Sequence, residues 1–223
     1  MSQLFKYPRT LHVPNSPGTN SDDRLASYED LSILYNKEIV VTEKLDGENT
    51  SLYRDYMHVR SLDSRPHPSQ NWVRQLHASI QHEIPDNWRI CAENLYAKHS
   101  IYYDKLPTFL FVFSIWNEKN EALSWNETKT YCDMLGLHTV PVLYQGKWDE
   151  EKIKTCYTGK SLYADEQEGY VVRSEEGFPY PVVSETKHEM PFFKQLFKYV
   201  RAKHVQTDDH WRMTWTPNKL MQS

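Results

Sequence analysis

The β-branched and aromatic residues of this chain fall in short runs that are not followed by helices at regular intervals. Glu38–Lys44 (EIVVTEK), Arg89–Glu93, Thr108–Trp116, Val140–Leu143, Glu168–Ser174 (EGYVVRS) and Pro191–Val200 all read as strands. Thr50–Tyr53 and Met57–Ser61 read as a meander turning at Arg54-Asp55. Three stretches have helical character: Ser27–Tyr35, Trp72–Ile84 and Glu127–Gly136. In the second, Trp72, Leu76, Ile80 and Ile84 share a face and Pro85 ends it; the third closes on its glycine. A doubly wound sheet needs a helix between successive strands, so this order instead predicts an α+β fold with antiparallel sheets.

Residues 7–23 (YPRTLHVPNSPGTNSDD) carry Pro8, Pro14, Pro17 and Gly18 without periodicity and read as an irregular arm. The 223 residues suffice for one domain with a sizeable core, with 1–25 as the arm and 205–223 as a tail. Seven Trp, 15 Tyr and 8 Phe against only 7 Gly exclude a disordered or collagen-like chain. MSQLFKYPRT lacks the apolar core of a signal peptide, and no run approaches the roughly 18 apolar residues of a membrane span. The expectation is a soluble cytoplasmic protein with no membrane partner. Cys91, Cys132 and Cys156 have no CxxC or Cys/His spacing and read as reduced structural residues. A net charge of −4 gives no global basic field, yet Lys194, Lys198, Arg201, Lys203 and His204 gather positive charge in the C-terminal third.

The segment TEKLDGEN, residues 42–49, sets a lysine between two acids at the end of a predicted strand. By itself it reads equally as a solvated loop lysine beside an Asp46-Gly47 hairpin turn, or as a nucleophile on a strand-end loop. A lysine amine attacks phosphorus only when unprotonated, and its ordinary pKa is about 10.4. A nucleophilic Lys44 is therefore expected to sit where desolvation or nearby cations, Lys198 among them, depress it.

TEKLDGEN resembles motif I of the covalent nucleotidyltransferases, the superfamily of ATP-dependent DNA ligases, RNA ligases and mRNA capping enzymes. HVRSLDSR around Arg60, AENLYAKHSIYYD around Glu93, FLFVFSIW around Phe113, EGYVVR at Glu168 and LFKYVRAKH at Lys198 resemble motifs Ia, III, IIIa, IV and V, in the superfamily's order across residues 42–204. Asn49, five residues after the lysine, the AENLYAKHSIYY block and the arm are similar to the RNA ligases. The resemblance implies an ATP-dependent RNA ligase: an adenylyltransferase domain of ATP-grasp-like ligase type, its antiparallel sheets flanked by helices, without a C-terminal OB domain.

It further implies Lys44 as the adenylated residue. Glu43, Asp46, Gly47, Asn49, Arg60, Glu93, Phe113, Glu168 and Lys198 would bind ATP, and Glu93 and Glu168 would hold magnesium or manganese. The glycine would let backbone approach a phosphate or ribose, and the aspartate would fix the loop or accept from the ribose. Either glutamate reads otherwise as a surface strand end. Phe109 and Phe111 read as core, and Phe113 as the residue stacking on adenine. Tyr96, Tyr102 and Tyr103 read as RNA-stacking or structural aromatics.

Motif V departs from the family, which has a second lysine two residues after the first; Arg201, Lys203 or Lys194, one helical turn earlier, could substitute. Only 23 residues follow Val200, too few for an OB-fold, so Arg9 with His12, or Arg65 with His67, would orient the leaving pyrophosphate or else anchor their loops. Arg60, Arg65, Lys198, Arg201 and Lys203 would contact RNA phosphates. His204, Asp208, Asp209 and His210 read as a solvated turn more readily than as a metal site. The expected partner is RNA with 5′-phosphate and 3′-hydroxyl ends, acted on by a monomer, with an end-healing kinase-phosphatase left open. A DNA ligase, a capping-type enzyme and a non-catalytic nucleic-acid-binding relative remain alternatives.

Overall fold

The computed structural model describes residues 3–21, 23–181, 192–204 and 215–221. Two sheets face each other. The first has the order β1-β12-β10-β2-β9, formed by Arg9–His12 (β1), Phe192–Val200 (β12), Gly169–Ser174 (β10), Glu38–Lys44 (β2) and Val142–Lys147 (β9). The second runs β11-β7-β6-β5-β3-β4, from Phe178–Pro179 (β11) through Glu121–Ala122 (β7), Leu110–Trp116 (β6), Arg89–Asn94 (β5) and Glu48–Leu52 (β3) to Met57–Val59 (β4). His138–Thr139 (β8) adds to β6. The predicted α+β character holds, and the sheets are antiparallel except at two pairs, β1 with β12 and β6 with β8.

Alternation along β2 decides what each sheet buries. Ile39 and Val41 point away from the second sheet into a cluster with Tyr170, Val172 and Phe197, under Leu31 and Leu34. Leu31 belongs to the helix Tyr28–Leu31 (α1), capped by Ser27, whose Oγ accepts from the Asp30 N–H at 3.1 Å. Val40 points the other way and meets Leu45, Tyr103, Phe111 and Trp125. Cys91 and Trp116 meet Phe193 and Leu196 of β12 in a separate cluster. Each such buried side chain stabilises the fold by about 1.5–3 kcal/mol. These last two clusters join the sheets and leave a cleft between them.

The outer face of the second sheet is covered by Asn71–Ile80 (α2) and Trp125–Leu135 (α3). On α2 the buried stripe is Val73, His77 and Ile80, with Trp72 and Leu76 only partly covered, one position away from the predicted face. His77 tolerates burial because its Nε2 donates to the Tyr53 carbonyl at 2.5 Å. Ser124 and Glu127 form a capping box that starts α3 two residues earlier than predicted. The strand expected at 140–143 lies instead at 142–147, and the helix Glu150–Thr155 (α4) went unpredicted.

The reading of residues 7–23 as wholly irregular is corrected. Arg9–His12 is an edge strand parallel to β12, with His12 paired to Lys198, bracketed by Pro8 and Pro14. No helix among the described residues is long and apolar enough to cross a membrane. Cys91, Cys132 and Cys156 are buried free thiols.

Candidate active site

Lys44 ends β2 and Glu48 begins β3, so Leu45-Asp46-Gly47 carries the chain from one sheet to the other across the cleft. Several donors fix this link. The Asp46 N–H donates to Tyr103 Oη at 2.9 Å, and Asp46 Oδ2 accepts from the N–H and Oγ of Ser100 (2.8 and 2.6 Å) and from the Ile101 N–H (2.8 Å). The Gly47 N–H donates to Glu93 Oε1 at 3.1 Å. A Cβ on Gly47 would lie 2.6 Å from both the Asn94 carbonyl oxygen and Leu95 Cδ2, so its glycine is required by the approach of β5. Of the two duties read for Asp46, this geometry gives it the fixing of the loop.

Register places Lys44 opposite Gly169 and thereby sets Glu168 beside it, with Lys44 Nζ 2.7 Å from Glu168 Oε1. The Glu168 side chain is wholly buried; its Oε1 is engaged by the Lys44 ammonium, and its Oε2 has no hydrogen-bond partner among the described residues. Burial is the largest influence on Lys44 and works to lower its pKa, but Glu168, Glu93 and Asp46 together outweigh it and hold the ammonium above its ordinary value. The expected depression is thus reversed in this structure: three carboxylates crowd the amine.

The same crowding acts on the acids. Burial, with Glu168 and Asp46 adding to it against Lys44, pushes Glu93 up to about 8. Burial also raises Glu168. A carboxyl raised in this way contributes stability that is full below its unfolded value of about 4.3 and is lost as pH rises through its folded value. Glu93→Gln keeps an oxygen for the Gly47 N–H and removes the titration. Its thermal midpoint should match the wild type at pH 4 and exceed it by several degrees at pH 8.5. An equal difference at both pH values would show that Glu93 is not the group responsible.

A cavity of about 740 Å³ opens over this floor, lined by Glu43, Lys44, Asp46, Gly47, Asn49, Glu93 and Phe113, with Arg9, Arg60 and Lys198 on its walls. Asn49 faces Glu93 across the β3–β5 pairing, and its Oδ1 is buried without a hydrogen-bond partner among the described residues. The Glu43 side chain is buried, and its Oε2 accepts weakly from the Leu162 N–H at 3.5 Å. Phe113 owes its place to a β-bulge: the register passes from Cys91–Ser114 to Ala92–Val112, leaving Phe113 as the extra residue. Its ring meets Tyr7 edge-on at 5.1 Å, while Phe109 and Phe111 are core, as read.

Lys198 is held from the arm. Asp23 Oδ1 accepts from Lys198 Nζ at 3.0 Å and lies 3.1 Å from His12 Nε2. Burial, followed by repulsion from Lys44, lowers the Lys198 pKa. Lys194 is exposed and off the cavity wall; on a strand four residues separate it from Lys198 by about 13 Å, so the helical-turn reading is corrected. Arg201 pairs with Glu166 at 2.7 Å, and Arg65 and Lys203 are exposed and do not line the cavity. His67 caps the turn Pro68–Gln70, its Nδ1 accepting from the Ser69 N–H at 3.3 Å. Tyr103 is fully buried, Tyr96 packs between Phe109 and Trp215, and Tyr102 is exposed. Asp208, Asp209 and His210 lie outside the described residues.

Sequence reasoning gave Asp23 and Asn218 no role of their own, and it read His204 as part of a solvated turn more readily than as a metal ligand. His204 follows a left-handed turn at Lys203 (φ 58°) and buries its ring against Asp46 Oδ1 (3.5 Å) and Glu168 Oε1 (3.3 Å). Asn218 works from further away. Its Nδ2 donates to the carbonyls of Leu95 and Ala97 (2.7 and 3.3 Å) and its Oδ1 accepts from the Tyr103 N–H (2.9 Å). It thereby clasps the loop whose Ser100 and Ile101 hold Asp46. Asn218→Ala removes three buried hydrogen bonds and should lower stability by about 2–3 kcal/mol in urea unfolding. An unchanged midpoint would mean that residues 215–221 do not dock in solution.

The comparisons with known proteins bear on the fold and the family. The Naegleria gruberi RNA ligase with PPi matches with a TM-score of 0.59 at 19% identity, over 86% of this chain and 55% of that one. A lysine-to-alanine variant of the same ligase with ATP and Mn matches at 0.58 and 18% identity, with the same coverage. A provisionally described ATP-dependent DNA ligase from Aquifex aeolicus matches at 0.53 and 21% identity, over 89% of this chain and 50% of that one. At such identities the likeness is one of fold, and the chain spans about half the length of these structures. Among curated proteins none matches the sequence. The RNA ligase family matches residues 37–200, which takes in Lys44, Glu93, Phe113, Glu168 and Lys198, and the chain belongs to that family.

Proposed function

We propose that this protein is an ATP-dependent RNA ligase that joins 3′-hydroxyl and 5′-phosphate RNA ends through a lysyl-AMP intermediate. The observation that carries the reading is the Lys44–Glu168 pair at 2.7 Å under a cavity walled by Arg9, Arg60 and Lys198, within the family match. Lys44 Nζ, once deprotonated, forms a bond to the ATP α-phosphorus as the bond to pyrophosphate breaks. An oxygen of the RNA 5′-phosphate then takes the AMP, restoring the lysine. The 3′-hydroxyl attacks that activated phosphate, losing its proton as AMP departs.

Phe113 offers a ring for adenine, and Asn49 and Glu93 offer polar atoms on one side of the nucleotide. Lys198, held on the cavity wall by Asp23, would stabilise the α-phosphate. Arg9 and Arg60 would draw the leaving pyrophosphate outward. The buried carboxylate of Glu168, whose Oε2 has no hydrogen-bond partner among the described residues, suits a hard divalent cation, which when bound supplies charge neutralisation for the phosphates. Exposed Arg65 and Lys203 would serve RNA phosphates, and a kinase-phosphatase would supply healed ends.

The test offers RNA and DNA nicks and single-stranded ends, with ATP or GTP, in all combinations. Sealing with ATP when the 3′-hydroxyl nucleotide is RNA is the expected result, because the 2′-hydroxyl is what distinguishes RNA at that end. Equal sealing of DNA and RNA 3′ ends would replace the RNA reading by a DNA ligase. Label transfer from GTP alone would indicate a capping-type enzyme.

A further inference from the structure

We propose that His204 completes, with Asp46 and Glu168, a three-ligand site for a first-row transition dication of the Mn²⁺–Zn²⁺ series, in preference to Mg²⁺. The inference deepens the proposed function, since Asp46 and Glu168 belong to the same cleft. Its ground is a concentration of buried polar atoms that lack partners. The His204 side chain is entirely buried, and neither ring nitrogen has a hydrogen-bond partner among the described residues. Glu168 Oε2 is in the same condition, while its Oε1 is shared between Lys44 Nζ at 2.7 Å and the His204 ring at 3.3 Å. Buried polar atoms without partners cost about 1–3 kcal/mol each, so several at one point mark a place built for something else to bind.

The spacing identifies the class of ligand. His204 Nε2 stands 3.5 Å from Asp46 Oδ1 and 3.3 Å from Glu168 Oε1, and ligand atoms of the three residues all lie within 4.8 Å of one another. Metal–ligand bonds of about 2.1 Å in tetrahedral array set ligand atoms about 3.4 Å apart. Asp46 is preorganised for such a role, because Ser100 and Ile101 occupy its Oδ2 and leave Oδ1 turned to the histidine. An imidazole nitrogen among two carboxylates favours the borderline transition metals over magnesium, which takes oxygen ligands and keeps its waters. Glu93, bonded to the Gly47 N–H, stands outside this set.

Lys44 is already present as a cation at this point, its ammonium 2.7 Å from the same Glu168 Oε1. Metal and ammonium therefore compete for one oxygen. A ligand lost from the triad should weaken binding, and loss of the competing ammonium should strengthen it.

The experiment titrates Mn²⁺ into the full chain without ATP or RNA and follows free Mn²⁺ by electron paramagnetic resonance, with Zn²⁺ and Mg²⁺ as competitors. Expected are one tight Mn²⁺ site that Zn²⁺ displaces more readily than Mg²⁺ does, and weakening by about tenfold or more in His204→Gln and His204→Ala. Lys44→Met should bind Mn²⁺ several-fold more tightly than the wild type. Broadening of the His204 ring resonances by substoichiometric Mn²⁺ reads the contact in the unmutated protein, so a variant that fails to fold does not end the test. Unchanged Mn²⁺ affinity in a folded His204→Gln variant, or His204 resonances untouched by Mn²⁺, overturns the proposal. Because no sealing is measured, a protein that binds Mn²⁺ through His204 yet joins no RNA would refute the ligase reading alone.

Discussion

Lys44→Ala should transfer no label from ATP to protein and lose sealing by at least about a thousandfold, while keeping its fold. The loss follows from chemistry, because among the described residues no other lysine pairs with Glu168. Lys198, on the cavity wall, is pinned to Asp23 at 3.0 Å. The retained fold follows from position: Lys44 is the last residue of β2, and its pairing with Gly169 is made by backbone. Stability should respond to pH in a way that exposes the ion pair. Without the ammonium, Glu168 and Glu93 lose their nearest positive charge, so their pKa values climb further and the variant is penalised more at pH 8 than at pH 5. A sealing reaction on pre-adenylated RNA needs no lysyl-AMP and should survive better than the complete reaction. If the complete reaction and the pre-adenylated one fall equally, Lys44 does something other than accept the nucleotide.

Gly169→Ala should have the largest effect on the fold. A Cβ there would stand 1.8 Å from the Tyr199 carbonyl oxygen and 3.1 Å from Val200 Cα, both backbone atoms of β12 that no rotamer change can move aside. Strand β12 must then part from β10, which disturbs the Arg201 N–H donation to the Glu168 carbonyl at 2.9 Å and the setting of Lys198. The expected cost is about 3 kcal/mol, read as a lowered urea midpoint, together with a loss of adenylation that higher ATP does not restore. A variant with wild-type midpoint and activity would show that the two strands are not held this close in solution.

How much of this could be read in advance depended on whether the information was local. EIVVTEK gave the bounds of β2 because its β-branched run ends at Lys44, where the loop begins. The helix at 125–135 was legible from its periodicity and terminal Gly136, and only its capping box was overlooked. RTLH was not legible as β1, since two prolines flank it and its partner strand lies about 180 residues later. Lys44, Glu93 and Glu168 could be brought together by motif order, but motif order carries no sign of charge balance. Three carboxylates around one amine reverse the expected direction of its pKa, and that emerges only from distances. His204 sat in a stretch that reads as a polar turn. Its importance comes from the reversal at Lys203, which buries the ring against Asp46 and Glu168. Asn218 was equally hidden, because an asparagine in a C-terminal tail has no local signature of a clasp on a loop over a hundred residues away.

The measurement that bears most directly on the account is the identity of the residue carrying AMP. The protein would be incubated with ATP labelled at the α-phosphorus and a divalent metal, without RNA, then digested, and the labelled peptide mapped by mass spectrometry. The account predicts a single adenylate, acid-labile as a phosphoramidate, on Lys44 in the peptide containing TEKLDGEN. Label on Lys198 or any other residue, or a folded, metal-supplied protein that takes up no label at all, would contradict it.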